Sequence, residues 1–490
     1  MALKYYFSLG KRPYVGDSEV HPEVIKFTNL LAPGATQERD EEIIWVFPET
    51  PTAAGETQRY PLLGTDILRL HFVQTMHLIP EIIDVSRFQK ALSKALALYP
   101  TFAGRLRIDS NNDRSISLTN SSIPLVIDRD AQGPALGDFA IIGYHMGSYL
   151  APINLHSLEN HDEALISIKL SMFPRTGETA IGVMMSHQVA DGHLALAFMR
   201  TLSNLYQGFS PEPTTAFIIP SPAPLPPISI RRLFNLLSAV KNDPRYKPNT
   251  YTETEAHERT IKSIEESVPV NIRVTAQQMA KLKTLAVAGL PEGGNAQISR
   301  QDAVTALLVT SMNKFLDVKV DHVRSVWNYR AITSPVHYGG NAIGLSMTDT
   351  MPTSDLEDLS AVSSAIRNAL IKARSEEEFG VMLPLMHLKL TDMANRGQFI
   401  GSVLLPGRFV INSDVNADWR AAHFGHPDTV RFFSAHKENR YARVYQSNPE
   451  IIDGKVVDPR KGSIDVHLRI DASIHDQFVA ELNRVLQSLE

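Results

Sequence analysis

His187-Gln-Val-Ala-Asp191-Gly192 follows directly on the apolar run Ala180-Ile-Gly-Val-Met-Met-Ser186. A run of this kind reads as a buried strand. A histidine at its end, before a tight turn, is placed to present an imidazole into a cleft. Imidazole has the unperturbed side-chain pKa nearest neutrality, so it suits proton removal at neutral pH. The hexad alone decides little. His-x-x-x-Asp-Gly arises by chance in roughly one chain in twenty of this length. The same six residues also describe an ordinary strand-to-helix turn with its His bonded to backbone, and only the structural context separates the two.

The surrounding pattern is α/β. A capping box at Ser86-Arg-Phe-Gln89 opens a predicted helix with Phe88, Leu92, Ala95, Leu96 and Tyr99 on one face. Pro100 ends it, and a strand-like piece, Ala103-Gly-Arg-Leu-Arg-Ile108, follows. After the hexad, Leu194, Phe198, Leu202 and Leu205 align on a second helix stopped by Gly208. In the second half, Val268–Val274 and Ile464–Ile470 read as strands. Ser299-Arg-Gln-Asp302 caps a helix, and Ile474, Phe478, Leu482, Val485 and Leu489 stripe the last one. The pentad Ile43-Ile-Trp-Val-Phe47 reads as a buried strand beside an acidic run, Gln37–Glu42, expected to be a solvated loop. No short internal repeat is visible.

At 490 residues the chain exceeds a single core. Prolines at 211, 213, 220, 222, 224, 226, 227, 244 and 248 mark a stiff crossover. The expected division is a lobe at 1–210 carrying the hexad, a linker at 211–262 and a lobe at 263–490. A net charge of -5 excludes a basic nucleic-acid-binding face. The absence of cysteine excludes disulfides, thiolate metal sites and a Cys nucleophile. No apolar stretch reaches the ~18–20 residues of a membrane span, and the N-terminus lacks an apolar signal core. A cytosolic protein without membrane or nucleic-acid partners is expected.

Several segments together resemble the BAHD acyltransferase family, in particular its fungal secondary-metabolite branch, which includes trichothecene acetyltransferases. Leu92–Leu106, containing Tyr99-Pro-Thr-Phe-Ala-Gly-Arg105, is similar to its first-helix signature. His187–Gly192 match its His-x-x-x-Asp-Gly motif. Ser299–Ala306, Asn328-Tyr-Arg330 with Pro335–Asn341, and Gly462–Leu468 resemble further segments in the family's order. The resemblance implies two chloramphenicol-acetyltransferase-like lobes, each a mixed sheet with flanking helices, and a channel between them open at two mouths. It implies an acyl-CoA co-substrate, acetyl-CoA foremost, with no bound cofactor. It also implies a small alcohol or amine acceptor, a monomer, and His187 as general base. By the same resemblance Asp191 pairs with Arg330, shaping the turn with Gly192, and the activity is acyl transfer of groups other than amino-acyl groups.

One departure stands out. Where the family has Asp-Phe-Gly-Trp-Gly, this chain has His423-Phe424-Gly425-His426-Pro427, preceded by Asp418-Trp-Arg420. Phe424 and Gly425 are kept as supports of the site. The change motivates an alternative on the same fold: a condensation-like or pericyclic enzyme that binds an apolar metabolite without acyl-CoA. Lys437 and Arg440 are weak candidates for CoA phosphates. A metal at His187, His193, His423, His426 or His436 is not expected, because no spacing brings a third ligand.

Overall fold

The structure, a computed structural model, describes residues 41–51, 58–68, 72–131, 146–154, 158, 162–210, 250–290, 297–333, 340–400, 405–434, 436–452, 455–457 and 462–490. Most of residues 1–60, the proline-rich stretch 211–249 and the segment Pro335 to Gly339 lie outside them. Two six-stranded sheets organise the rest. Along the chain their strands are β1 (Glu42–Val46), β2 (Phe72–Ile79), β3 (Ile123–Asp128), β4 (Ile166–Phe173), β5 (Glu178–Ser186), β6 (Ser267–Val274), β7 (His322–Asn328), β8 (Ile343–Met347), β9 (Arg408–Ser413), β10 (Arg431–Phe433), β11 (Tyr441–Gln446) and β12 (Ile464–Asp471). The longer helices are α1 (Val85–Leu98), α2 (Gly192–Tyr206), α3 (Glu253–Glu265), α4 (Ala276–Ala288), α5 (Arg300–Asn313), α6 (Leu359–Ala373), α7 (Glu376–Asn395) and α8 (His475–Ser488). Both sheets are mixed, as expected.

The first sheet has the order β1-β3-β4-β5-β2-β10, the second β6-β12-β11-β9-β7-β8. Within the first, β3 and β4 are parallel, β4 and β5 antiparallel, β5 and β2 antiparallel. Within the second, β9, β11, β12 and β6 repeat that series: parallel, antiparallel, antiparallel. A helix follows the last member each time, α1 after β2 and α4 after β6, and another follows the third, α2 after β5 and α8 after β12. This is an internal repeat of topology that the sequence does not reveal. The last paired residues are Ser186 in one copy and Asp471 in the other. The next residue is His187 in the first and Ala472 in the second, so only the first copy carries the imidazole.

The described residues fall into two compact units. One comprises those up to 210 with 340–341 and 418–434; the other comprises the remainder. The two halves of the chain are therefore interleaved rather than separated at one linker, and residues 253–262, placed in the linker by sequence, form most of α3. β10 is the reason for the longer excursion: its three residues pair with Met76–Leu78 of β2, a partnership between positions too distant for any local pattern to show.

Three other expectations change. The N-cap of α1 is Asp84, whose carboxylate accepts from Arg87 N–H at 3.0 Å; Ser86 already lies inside the helix, so the apparent capping box is two residues late. β1 is an edge strand, half-buried, with Phe47 58% exposed. In the acidic run, Glu41 is drawn into an ion pair with buried Lys169 at 2.5 Å, because a buried ammonium requires a counter-charge.

The second sheet segregates its faces with period two. Val270, Val274, Val323, Phe409, Ile411, Ala442, Val444, Val466 and Leu468 form one core with residues of α4, α5, α6 and α8. α5 is buried from Asp302 to Asn313, as befits a helix apolar on most sides. The opposite face carries Arg273, Arg324, Arg443, Asp465, His467 and Arg469, in register across the strands.

Candidate active site

β5 is held on both sides, by β4 and β2. Its end is fixed further: Ser186 N–H donates to the Leu165 carbonyl at 2.8 Å. The Ser186 carbonyl accepts from Val189 and Ala190 N–H at 3.0 and 3.2 Å, closing a turn over residues 187–190. The Ser186 hydroxyl accepts from Gln188 N–H at 3.2 Å. Gln188, Val189 and Ala190 are buried, while His187 is half-buried. His187 thus sits half-buried on a turn held by backbone bonds, with its Nδ1 buried, an arrangement suited to a positioned general base. Gly182, earlier on β5, admits a close neighbour: a Cβ there would stand 1.7 Å from the Tyr149 carbonyl oxygen.

Asp191 is 4% exposed and extended, and its carboxylate accepts from Leu194 N–H at 3.0 Å, making it the N-cap of α2. An Asp immediately before a helical pattern is itself an N-cap signal, and Asp191 fits it. Gly192 takes the first helical position. Left-handed φ occurs among the described glycines at Gly64, Gly177, Gly208, Gly397, Gly407, Gly425 and Gly462, not at Gly192. Arg330, in the second unit, is 4% exposed and opens a short helical turn, its N–H donating to Asn328 Oδ1 at 2.9 Å.

The first-helix signature acts through packing. Tyr99 stacks with Phe102 (5.2 Å) and meets Phe198 of α2 edge-on (5.1 Å), and its hydroxyl is 3.1 Å from Thr201 Oγ1. Arg105, fully buried, donates to the carbonyls of Gly104, Ser122 and Asp162. The Tyr99 contacts anchor α2, whose first turn continues from the hexad.

Residues 418–434 dock on the same unit. Trp419 stacks on Phe432 at 4.4 Å, and its carbonyl accepts from His77 Nε2 at 3.0 Å. Phe424 is 1% exposed, stacks on Phe88 of α1 at 5.9 Å and meets Tyr206 of α2 at 5.7 Å. Its N–H donates to Ser203 Oγ at 2.8 Å. Phe424 (φ 50°) and Gly425 (φ 104°) are both left-handed: glycine suits that backbone, whereas the phenylalanine is accounted for by the packing of its ring. His423 stands where the family has Asp, and its Nδ1 accepts from Gly425 N–H at 3.1 Å. A side-chain acceptor two residues before the donor is what Asp supplies in an Asx-turn. Burial and His426 lower the His423 pKa, against Asp418, which keeps the ring neutral and Nδ1 able to accept. His426 bonds Glu81 at 3.1 Å.

His77, fully buried on β2, and Ser203 are anchors that no sequence signal identified. Desolvation lowers the His77 pKa to about 4, with the Trp419 bond opposing. The folded state therefore favours neutral His77. Its contribution is complete above the unfolded value near 6.5 and is lost as pH falls towards 4, roughly 3 kcal/mol in all. Urea unfolding at pH 7 and pH 4.5 is expected to show a smaller loss in His77→Gln than in the parent. An equal loss would contradict this.

Of the remaining candidates, Arg440 is occupied: its guanidinium bonds Asp471 at 2.9 and 3.1 Å. Lys437 is half-buried, and desolvation lowers its ammonium to about 8 against Glu438. His436 stacks on Tyr441 and pairs with Glu438, and His193 is exposed. Among the described residues, no three His, Asp or Glu side chains cluster so as to hold a metal, and no helix is long and apolar enough to cross a membrane.

Rosmarinate synthase of Plectranthus scutellarioides is 28% identical over 149 residues, 29% of this chain and 30% of that protein. Taxadien-5-alpha-ol O-acetyltransferase of Taxus cuspidata is 31% identical over 121 residues, 24% of this chain and 27% of that enzyme. The chain thus aligns with less than a third of either relative's length. Among solved structures, F. sporotrichioides TRI101 complexed with coenzyme A and T-2 has the same fold: TM-score 0.62 at 15% identity, covering 87% of this chain and 98% of that one. Residues 60–425 match the family described as "Transferase family", and over that span, most of its length, the chain belongs to this family of BAHD acyltransferases.

Proposed function

We propose that the protein transfers an acyl group, acetyl foremost, from CoA to a hydroxyl of a small secondary metabolite, with His187 as general base. The observation that carries this is the placement of His187, half-open on a turn fixed by Ser186 and Leu165, in a chain of this family. The acceptor oxygen attacks the thioester carbonyl carbon while His187 takes the hydroxyl proton. The carbon–sulfur bond of the tetrahedral adduct then breaks, the ester forms, and the CoA thiolate leaves with that proton from His187. No acyl-enzyme is involved. Positioned proton transfer supplies ~10²–10⁴-fold; orientation and oxyanion donors supply the remainder.

Relatives named for CoA-dependent and O-acetyl transfer support the donor and the acceptor class. The fungal branch rests on the motif resemblance alone, while the sequence relatives above are plant enzymes. We further propose a cytosolic monomer in which Asp191 pairs with Arg330. Asp191→Ala then loses the α2 cap, about 1 kcal/mol, and the buried pair, ~3–5 kcal/mol. Asp191→Asn keeps the cap and loses only the pair. Urea midpoints separate the two, and an Asn variant as stable as the parent would refute the pairing. The overall assignment is tested by thiol release from acetyl-CoA across a panel of hydroxylated terpenoids and phenolics. Acceptor-dependent release supports it, and release independent of every acceptor contradicts it.

A further inference from the structure

The polar face of the second sheet is a network in which most arginines are matched. Arg273 pairs with Asp465 and Glu450. Arg443 pairs with Asp414. Arg469 donates to the Ile264 and Ser267 carbonyls. Arg324 on β7 differs: half-buried, it has no hydrogen bond or ion pair with any described residue. Its register neighbour on β9 is Val410, which is in turn in register with Tyr441 of β11. Arg408, two residues before Val410, shares that face diagonally to Arg324. Among the described residues, the charged or titratable groups acting on Arg324 are this second guanidinium and Tyr441. Burial and the like charge of Arg408 pull its pKa down to about 10, so it remains a cation at neutral pH. Arg324, a partly dehydrated cation near a like charge and with no acid among the described residues acting on it, is unfavourably placed in the empty protein. Two guanidiniums on one face of the sheet suit an oxyanion, which would offset the charge of Arg324.

We propose that Arg324, with Arg408, binds an oxyanion carried by a substrate, a phosphate or a carboxylate group. The anion site stands on this geometry; only the naming of CoA as a phosphate source rests on the acyltransferase assignment. The test uses the full chain and calorimetric titration with inorganic pyrophosphate, citrate, CoA and pantetheine, for the parent, Arg324→Gln and Arg324→Lys. A charge-assisted bond is worth ~1.5–3 kcal/mol, so Arg324→Gln is expected to weaken the anion at least tenfold, with Arg324→Lys intermediate. Unliganded Arg324→Gln should melt no lower than the parent, because it removes an unmatched charge; a purely structural arginine would melt lower. Weakened CoA with unchanged pantetheine identifies phosphate. Weakened citrate with unchanged CoA identifies carboxylate. Pyrophosphate binding through Arg324 in a parent that ignores CoA keeps the anion site and refutes the donor. Equal affinities in parent and Arg324→Gln, or no binding of any of the four probes, would overturn the proposal.

Discussion

His187→Ala is expected to fold as the parent does and to lose 10²–10⁴ in kcat, the range of positioned general-base catalysis. The loss belongs to kcat because the base acts only as the proton moves. Stability should change little. The bonds that shape the turn run from Ser186, Val189, Ala190 and Leu194 backbone groups, and a half-buried imidazole contributes no large apolar area. His187→Gln, of similar size but unable to take a proton, should be as slow as Ala. Melting curves and single-turnover rates on the same preparations check both statements. Activity within about threefold of the parent would remove His187 from the chemistry.

The second large effect is on stability. Phe424→Ala is expected to cost ~3–5 kcal/mol, the usual range for a buried phenylalanine. The ring fills a site between Phe88 and Tyr206, and neither neighbour can follow it because each belongs to a packed helix. The Phe424 N–H bond to Ser203 Oγ survives the substitution, so the loss measures the ring and not the backbone. Phe424→Leu should cost less than half as much. Phe424 also holds a left-handed backbone at φ 50°, strained for a residue with a Cβ, and Phe424→Gly should recover about 1 kcal/mol relative to Ala. Urea midpoints of the three variants test this order. A loss below 1 kcal/mol for Ala would mean that residues 418–434 are not held by this ring.

Elements dominated by local signals were legible in the sequence. Ser299 and Asp302 form the expected capping box, β6 and β12 fall within one residue of expectation, and the Phe88–Leu96 stripe is buried. Errors arose where two signals competed. Ser86 and Gln89 imitate a box, but Asp84 precedes them and its carboxylate reaches Arg87 first. The motif histidine was legible because a polar residue ends an apolar strand. His77 was not: an alternating strand gives no sign that one of its buried positions bonds the carbonyl of Trp419, 342 residues away. The repeat of topology is hidden for a related reason. Strand order and direction are set by long-range pairing, and unlike side chains can fill equivalent positions. The altered signature read as a loss in sequence; in three dimensions His423 Nδ1 occupies the acceptor role beside Gly425.

The measurement that bears most directly on the assignment is calorimetric titration of the full chain with acetyl-CoA, malonyl-CoA and longer acyl-CoAs, with free CoA as control. Saturable binding of acyl-CoA with a Kd of about 1 µM–1 mM, the common range for enzyme substrates, is the expected result, with acetyl-CoA among the binders. Absence of heat and of thermal stabilisation with every acyl-CoA would contradict it and leave an enzyme or binding protein that keeps the His187 turn without this donor.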